Sequence, residues 1–310
     1  MNQTLTRLSN QSGILSIHKP VGPTSRQVID EVQQVLGKCK IGHAGTLDPL
    51  AEGVLPLMIN ESTKLVSYLQ QEPKTYRFRA HFDYRSESLD LGEPVEEVPL
   101  TTQPTPGSVK SALEGFEGQI QQVPPKYSAI KKDGKPLYER VRESEEVSPD
   151  ARTVHCHEIT LIAYDFPGIT LEVTCGKGFY IRALVRDIAG RLNLNGGVVT
   201  SLLRTHYGPF NETNSTYLHR DCHWDTYFHP PRKAVENYPF VTCSRSEVVK
   251  ISHGDWISRS LTGEEYAMAV GPDHKLHAIL QSTSERGKEQ WRPKRVLNRN
   301  PPEDKPTGNL

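Results

Sequence analysis

One aspartate of this chain sits in surroundings suited to chemistry. Asp48 lies within Gly42-His43-Ala44-Gly45-Thr46-Leu47-Asp48-Pro49-Leu50-Ala51-Glu52-Gly53-Val54-Leu55. Three glycines and a proline make residues 42–53 a loop. Pro49 fixes its own φ and biases Asp48 toward extended geometry. A stiff loop that holds a lone carboxylate between apolar Leu47 and Leu50 suits a nucleophile or a general base. An aspartate before a proline also caps turns, and on spacing alone that plainer role carries more weight.

The elements around this loop are legible from periodicity. Residues 13–18 read as a short strand ending in a Lys19-Pro20 turn. Ser25 is placed to cap a helix with Val28, Ile29, Val32, Val35 and Leu36 on one face and Gly37 at its end. Residues 54–59 form an apolar run interrupted by Pro56, and 61–69 suit a short helix. Residues 76–82 alternate: Tyr76, Phe78, Ala80 and Phe82 share one side, and Arg77, Arg79 and His81 the other. That pattern predicts a half-buried antiparallel strand. Residues 153–161 and 169–175 read as two more strands. Ile181, Leu184, Val185, Ile188 and Leu192 mark a helix over 181–192. Strands and helices mix without regular alternation, which predicts an α+β fold.

Five segments, in this order, bear a family likeness. They are residues 18–25 (His18-Lys19-Pro20-Val21-Gly22-Pro23-Thr24-Ser25), the 42–55 loop, Lys74-Thr75-Tyr76, residues 124–142, and residues 175–182 (Cys175-Gly176-Lys177-Gly178-Phe179-Tyr180-Ile181-Arg182). A sixth, 202–210, has a Leu-x-Arg-Thr-x-x-Gly-x-Phe pattern. Together they resemble the TruB family of tRNA pseudouridine synthases over roughly residues 13–210. The resemblance implies isomerisation of the uridine at position 55 in the TΨC loop of tRNA. The base is flipped out of the RNA, the C1′–N1 bond is cleaved, and the base rejoins through C5.

Residue roles follow from the resemblance. Asp48 is the essential catalytic residue, acting by attack on base or ribose or by assisting glycal formation, and these routes stay open. Arg182 pairs with Asp48, since a neighbouring guanidinium favours a charged carboxylate. Tyr76 stacks on uracil, worth roughly 1–3 kcal/mol, and is a candidate proton acceptor. Tyr180 and Leu202 complete the wall, His43 touches RNA beside the flipped nucleotide, and Lys19 belongs to the first signature. Without the resemblance, both tyrosines, Leu202 and Arg182 read as ordinary core or surface residues. Lys126, Lys131, Lys132, Arg140 and Arg142 cluster in an RNA-gripping thumb insertion, about 124–152. One stretch departs from the family: Phe82-Asp83 and Ser86-Glu87-Ser88 replace its Leu-Gly and Thr-Asp-Thr, with Asp90 and Gly92 kept.

The resemblance also implies a mixed, mainly antiparallel sheet in a catalytic domain over 13–210; polar residues 1–12 before it are expected to be flexible. A linker at 211–238, a small β-rich PUA-like RNA-binding domain at 239–297 and a disordered tail at 298–310 complete the expectation.

Bulk properties set limits. Lys+Arg and Asp+Glu are 37 each, so any RNA contact must rest on local patches rather than net charge. Five cysteines with no CxxC pair argue for reduced thiols, and no targeting signal or membrane span is visible, so a cytoplasmic protein is expected. His155, His157, His219, His223 and His229 near Cys156 and Cys222 match no zinc spacing, so no metal is expected. Isomerisation is redox-neutral and asks for no cofactor. A monomer with no obligate protein partner is expected. A non-catalytic tRNA-folding module and a guide-RNA-dependent rRNA enzyme remain as competing functions.

Overall fold

The computed structural model describes residues 3–128, 130–132, 135–143, 145, 147, 149–218, 223–259, 263–285 and 288–298. In chain order the first part comprises α1 (Gln3–Asn10), β1 (Gly13–Lys19), α2 (Ser25–Leu36), β2 (Ile41–His43), β3 (Ala51–Ile59), α3 (Val66–Leu69) and β4 (Lys74–His81). A small hairpin, β5 (Tyr84–Arg85) with β6 (Glu96–Glu97), precedes α4 (Pro106–Glu114) and β7 (Gly118–Gln122). A second hairpin, β8 (Lys131–Lys132) with β9 (Lys135–Pro136), leads into α5 (Leu137–Arg142). Then come β10 (Arg152–Asp165), β11 (Gly168–Cys175), α6 (Ile181–Arg191), β12 (Val198–Tyr207), β13 (Phe210–Asn211), β14 (Thr216–Tyr217) and β15 (Phe228–His229).

These strands form one eleven-stranded sheet, ordered β14-β1-β3-β12-β4-β11-β10-β7, with β15 beside β1, β2 beside β3 and β13 beside β12. Among the described strands of this sheet only β1–β14 and β3–β12 pair in parallel, so the sheet is mixed and mainly antiparallel, as expected. Its centre is buried on both faces. Leu15, Ile17, Leu55, Leu57 and Ile59 pack toward α2, α4 and α6. Ile14, Val54 and Met58 pack on the other side against Met268, Leu276 and Ile279 of a second sheet. Burial on both faces is why β1 and β3 read as continuous apolar runs. Pro56 stays within β3, where the strand has passed its β12 partners and not yet met β2.

The second sheet is five-stranded, ordered β16-β18-β19-β20-β17. Its elements are β16 (Phe240–Thr242), α7 (Arg245–His253), β17 (Ile257–Ser258), β18 (Tyr266–Val270), β19 (Leu276–Glu285) and β20 (Lys288–Val296), around a core holding Trp291 and Ile251. The N-terminal stretch forms α1, whose Leu8 is buried against α2. The 211–238 segment contributes β14 and β15 to the large sheet. Residues 299–310, most of the expected disordered tail, lie outside the described residues. No helix among the described residues is long and apolar enough to cross a membrane.

Strand order brings one end of β3, β12, β4, β11 and β7 together. Ala51–Gly53 stand opposite Leu202–Arg204, Arg204 opposite Tyr76, and Lys74 opposite Cys175. Gly53 is decisive there: its φ is +109°, and a Cβ would lie 2.3 Å from the Arg204 carbonyl oxygen. Gly53→Ala is therefore expected to cost at least about 2 kcal/mol. Gly190→Ala in α6, with open space around it, should gain up to about 1 kcal/mol. Urea unfolding of both variants checks the pair; equal stabilities would refute the close approach at Gly53.

Candidate active site

Residues 44–50, between β2 and β3, carry Asp48, and their backbone is tied down from several sides. The Tyr207 hydroxyl donates to the Ala44 carbonyl at 2.8 Å, and Arg204 Nη2 to the Gly45 carbonyl at 3.2 Å. The Gly22 N–H donates to Pro49 at 2.8 Å. Lys19 Nζ donates to Ala51 at 2.7 Å and to Pro20 at 2.8 Å. Ser25 supplies a further tie and a correction. The helix N-cap is Thr24, whose side chain accepts from the Gln27 N–H while the Thr24 N–H donates to Gln27 Oε1. Ser25 sits one residue inside, and its buried hydroxyl donates to the Leu47 carbonyl at 3.0 Å and accepts from the Leu47 N–H at 2.9 Å.

Asp48 faces Arg182, with Nη2 2.8 Å from Oδ2. Arg182 is buried at the start of α6, while the Asp48 side chain is 39% exposed. The same guanidinium reaches a second carboxylate, Asp90, at 3.4 Å, and donates to the Ser88 carbonyl at 2.9 Å and the Tyr127 carbonyl at 3.0 Å. Asp90 in turn accepts from the Ser88 hydroxyl at 2.5 Å and the Gly92 N–H at 2.9 Å. Arg182 is thus fixed between two carboxylates and two carbonyls, which take both terminal nitrogens of its fork.

A cavity of about 490 Å³ opens above this pair, within the range for small organic ligands (roughly 300–1,000 Å³). Asp48, Tyr76, Tyr180, Arg182 and Leu202 all line it, joined by Lys74, Arg204, Ser128 and Ile130. Gln122 holds the backbone of Tyr180 from both sides, accepting from its N–H at 2.8 Å and donating to its carbonyl at 3.1 Å. The residues missed by sequence are Asp90, Gln122, Lys74 and Arg204. Asp90, Lys74 and Arg204 carried a signal, as members of the family-like stretches, whereas Gln122 lies outside them.

Two of the expected substrate- or RNA-contacting residues are not part of the cavity lining. Lys19 is fully buried beneath the loop and bonds backbone carbonyls. Burial pushes its ammonium down to about 8, against the pull of Asp48. His43, at the end of β2, is half-buried outside the cavity lining, and burial lowers its imidazole. Burial, and next the neighbouring Arg204, likewise bring Lys74 down to about 8. Burial pushes the phenols of Tyr76 and Tyr180 up, with Arg204 opposing at Tyr76. In the thumb segment Lys126 is exposed, whereas Arg140 is paired with Glu145 at 2.6 Å. The side chains of Lys131, Lys132 and Arg142 lie outside the described residues.

Known proteins share this arrangement of segments. A family model described as TruB family pseudouridylate synthase (N terminal domain) matches residues 33–181. A tRNA pseudouridine synthase B of Caldanaerobacter subterraneus subsp. tengcongensis is 37% identical over 289 residues, 92% of this chain and 99% of that protein. The chain belongs to the TruB family. A second TruB relative, the tRNA pseudouridine synthase B of Pseudomonas fluorescens, is 34% identical over 90% of this chain and 94% of its own. Among solved structures, a chain of a Cbf5-Nop10-Gar1 complex superposes with a TM-score of 0.73 at 24% identity, covering 94% of this chain and 87% of that one. A chain of an H/ACA RNP bound to a substrate RNA gives 0.71 at 23% identity, covering 95% and 88%. The likeness in fold to these two chains therefore extends over the five-stranded sheet.

Removing the Ser25 hydroxyl leaves both backbone groups of Leu47 without their side-chain partner. Ser25→Ala is expected to cost about 1–3 kcal/mol and to speed amide hydrogen exchange at Leu47 much more than along β3. Unchanged exchange at Leu47 would show that the loop is held without Ser25.

Proposed function

We propose that this chain isomerises uridine to pseudouridine in tRNA, at position 55 of the TΨC loop, with Asp48 as the catalytic residue. The observation that carries this is the Asp48 carboxylate, held by buried Arg182 at the base of a cavity walled by Tyr76, Tyr180 and Leu202. The cavity suits one nucleoside, so the target uridine must leave its stack, at a cost of a few kcal/mol. Tyr76 stacking on the uracil returns roughly 1–3 kcal/mol of that. Leu202 closes the apolar side. The carboxylate then acts on the ribose or base while the C1′–N1 bond breaks, and the wall keeps the freed uracil close enough to rejoin through C5.

Attack on ribose, attack on the base and glycal formation all need a carboxylate at this one place. The chemistry moves protons and one glycosidic bond, with no electron transfer. The relatives at 31–37% identity over nine-tenths of the chain are named as tRNA enzymes, which favours tRNA as substrate and action without a guide RNA or partner protein. We read the five-stranded sheet as a PUA-like module, and exposed Lys126 in the thumb as an RNA-backbone contact.

Purified protein and an unmodified tRNA transcript, with nothing else added, test this. Pseudouridine is mapped by carbodiimide-dependent primer-extension stops. A stop at position 55 with wild type and none with Asp48→Asn is expected. tRNA binding without any stop would favour an RNA-folding module instead, and a requirement for guide RNA would change the substrate.

Asp90→Asn keeps shape but removes one of the two charges around Arg182. Its single-turnover rate should fall about tenfold or more, about 1.4 kcal/mol, with little change in thermal stability. A rate within twofold of wild type would reduce Asp90 to scaffolding.

A further inference from the structure

Arg204 is the most deeply buried of the cations lining the cavity, at 1% exposure, and the chemistry above gives it no task. Three of its contacts are structural. Nε donates to the Val54 carbonyl at 2.7 Å, Nη2 to the Gly45 carbonyl at 3.2 Å, and the guanidinium lies 4.9 Å from the Tyr207 ring centre. The remaining arm, Nη1, stands 3.5 Å from the Tyr76 hydroxyl. Among the described residues Arg204 forms no ion pair with a carboxylate, unlike Arg182. A buried charge without a counter-charge is costly, and only one of its partners here is a side-chain oxygen that can itself become negative.

We propose that Arg204 is a positioning residue for the isomerisation: Nη1 holds the Tyr76 hydroxyl toward the bound base and stabilises the phenolate form of that oxygen, which then accepts the C5 proton. This rests on reading the cavity as a uridine isomerase site. The balance is simple. C1′–N1 breaks and C1′–C5 forms. The phenol first releases its proton to solvent, the phenolate takes the proton from C5, and N1 of the product takes one up.

The groups around Tyr76 bear on this from each side. Burial disfavours the phenolate, as do Cys175 on β11 and Asp48 from the loop. Tyr207 on β12 is a further phenol coupled to it, and Lys74 on β4 stands beside Arg204. Arg204 acts in the opposite direction, through both its charge and its hydrogen bond to the hydroxyl.

The test measures the single-turnover release of tritium from tRNA carrying 5-tritiated uridine, from pH 6 to pH 9.5. Arg204→Met should lower the rate at pH 7 by at least about tenfold, with the deficit shrinking as pH rises. Arg204→Lys, which keeps the charge, should restore most of the rate and should fold even if Arg204→Met does not. In a Tyr76→Phe background, Arg204→Lys and Arg204→Met should cause little further loss. A merely structural Arg204 gives the opposite: a pH-independent loss, equal for Lys and Met, that multiplies with Tyr76→Phe. That result overturns the proposal while wild-type activity stands. Absence of wild-type activity would instead overturn the reading of the site.

Discussion

The site depends on keeping one carboxylate at a fixed point in a half-buried cavity. Arg182 does this from the first turn of α6, and it is itself immobilised by groups from separate chain segments: Asp48 in the loop, Ser88 and Asp90 before α4, and Tyr127 in the thumb. A planar guanidinium with its donors committed in four directions has little freedom to follow a shifting partner. Tyr127 therefore belongs to the site itself. Its backbone closes one side of the ion pair, and Ser128 and Ile130 stand on the cavity wall.

The opposite side of the loop is held by cations bonded to carbonyl oxygens rather than to carboxylates. Lys19 takes Ala51 and Arg204 takes Gly45 and Val54, while Lys74, away from the loop, takes Gln70 and Glu72. Carbonyl oxygens satisfy hydrogen-bond donors but do not cancel charge, and burial lowers both lysines to about 8. The result is a cavity floor richer in positive than in negative groups, inside a chain whose Lys+Arg and Asp+Glu counts are equal. A neutral protein thus presents a local positive field where a polyanionic substrate must enter, which steers by position rather than by total charge.

The parallel pairing of β3 with β12 makes this geometry possible. It sets Arg204 against Gly53 at a backbone separation that only glycine allows, and so places one guanidinium between the catalytic loop and Tyr76. The antiparallel partners β4 and β11 then deliver Tyr76 and the 176–182 turn at the same end of the sheet.

The sequence by itself determined what depends on near neighbours along the chain. The glycine and proline content of 42–53 marked a loop around Asp48, and the alternation of Tyr76, Phe78, Ala80 and Phe82 marked β4. The helical spacing from Ile181 placed Arg182 at a helix start. The family-like wording then supplied the pairing of Asp48 with Arg182, which lies beyond any local pattern. Only the tertiary structure decided the rest. Asp90 and Arg182 are far apart in sequence, as are Gln122 and Tyr180, and Arg204 and Tyr76. Each pair meets only because of strand order, which periodicity does not encode. Lys19 and His43 belong to legible segments, yet whether such a side chain faces the cavity or the loop backbone depends on packing between β1, β2 and β3. The exchange of Ser25 for Thr24 as helix cap has the same cause: both hydroxyls suit the role chemically, and the buried Leu47 backbone claims one of them.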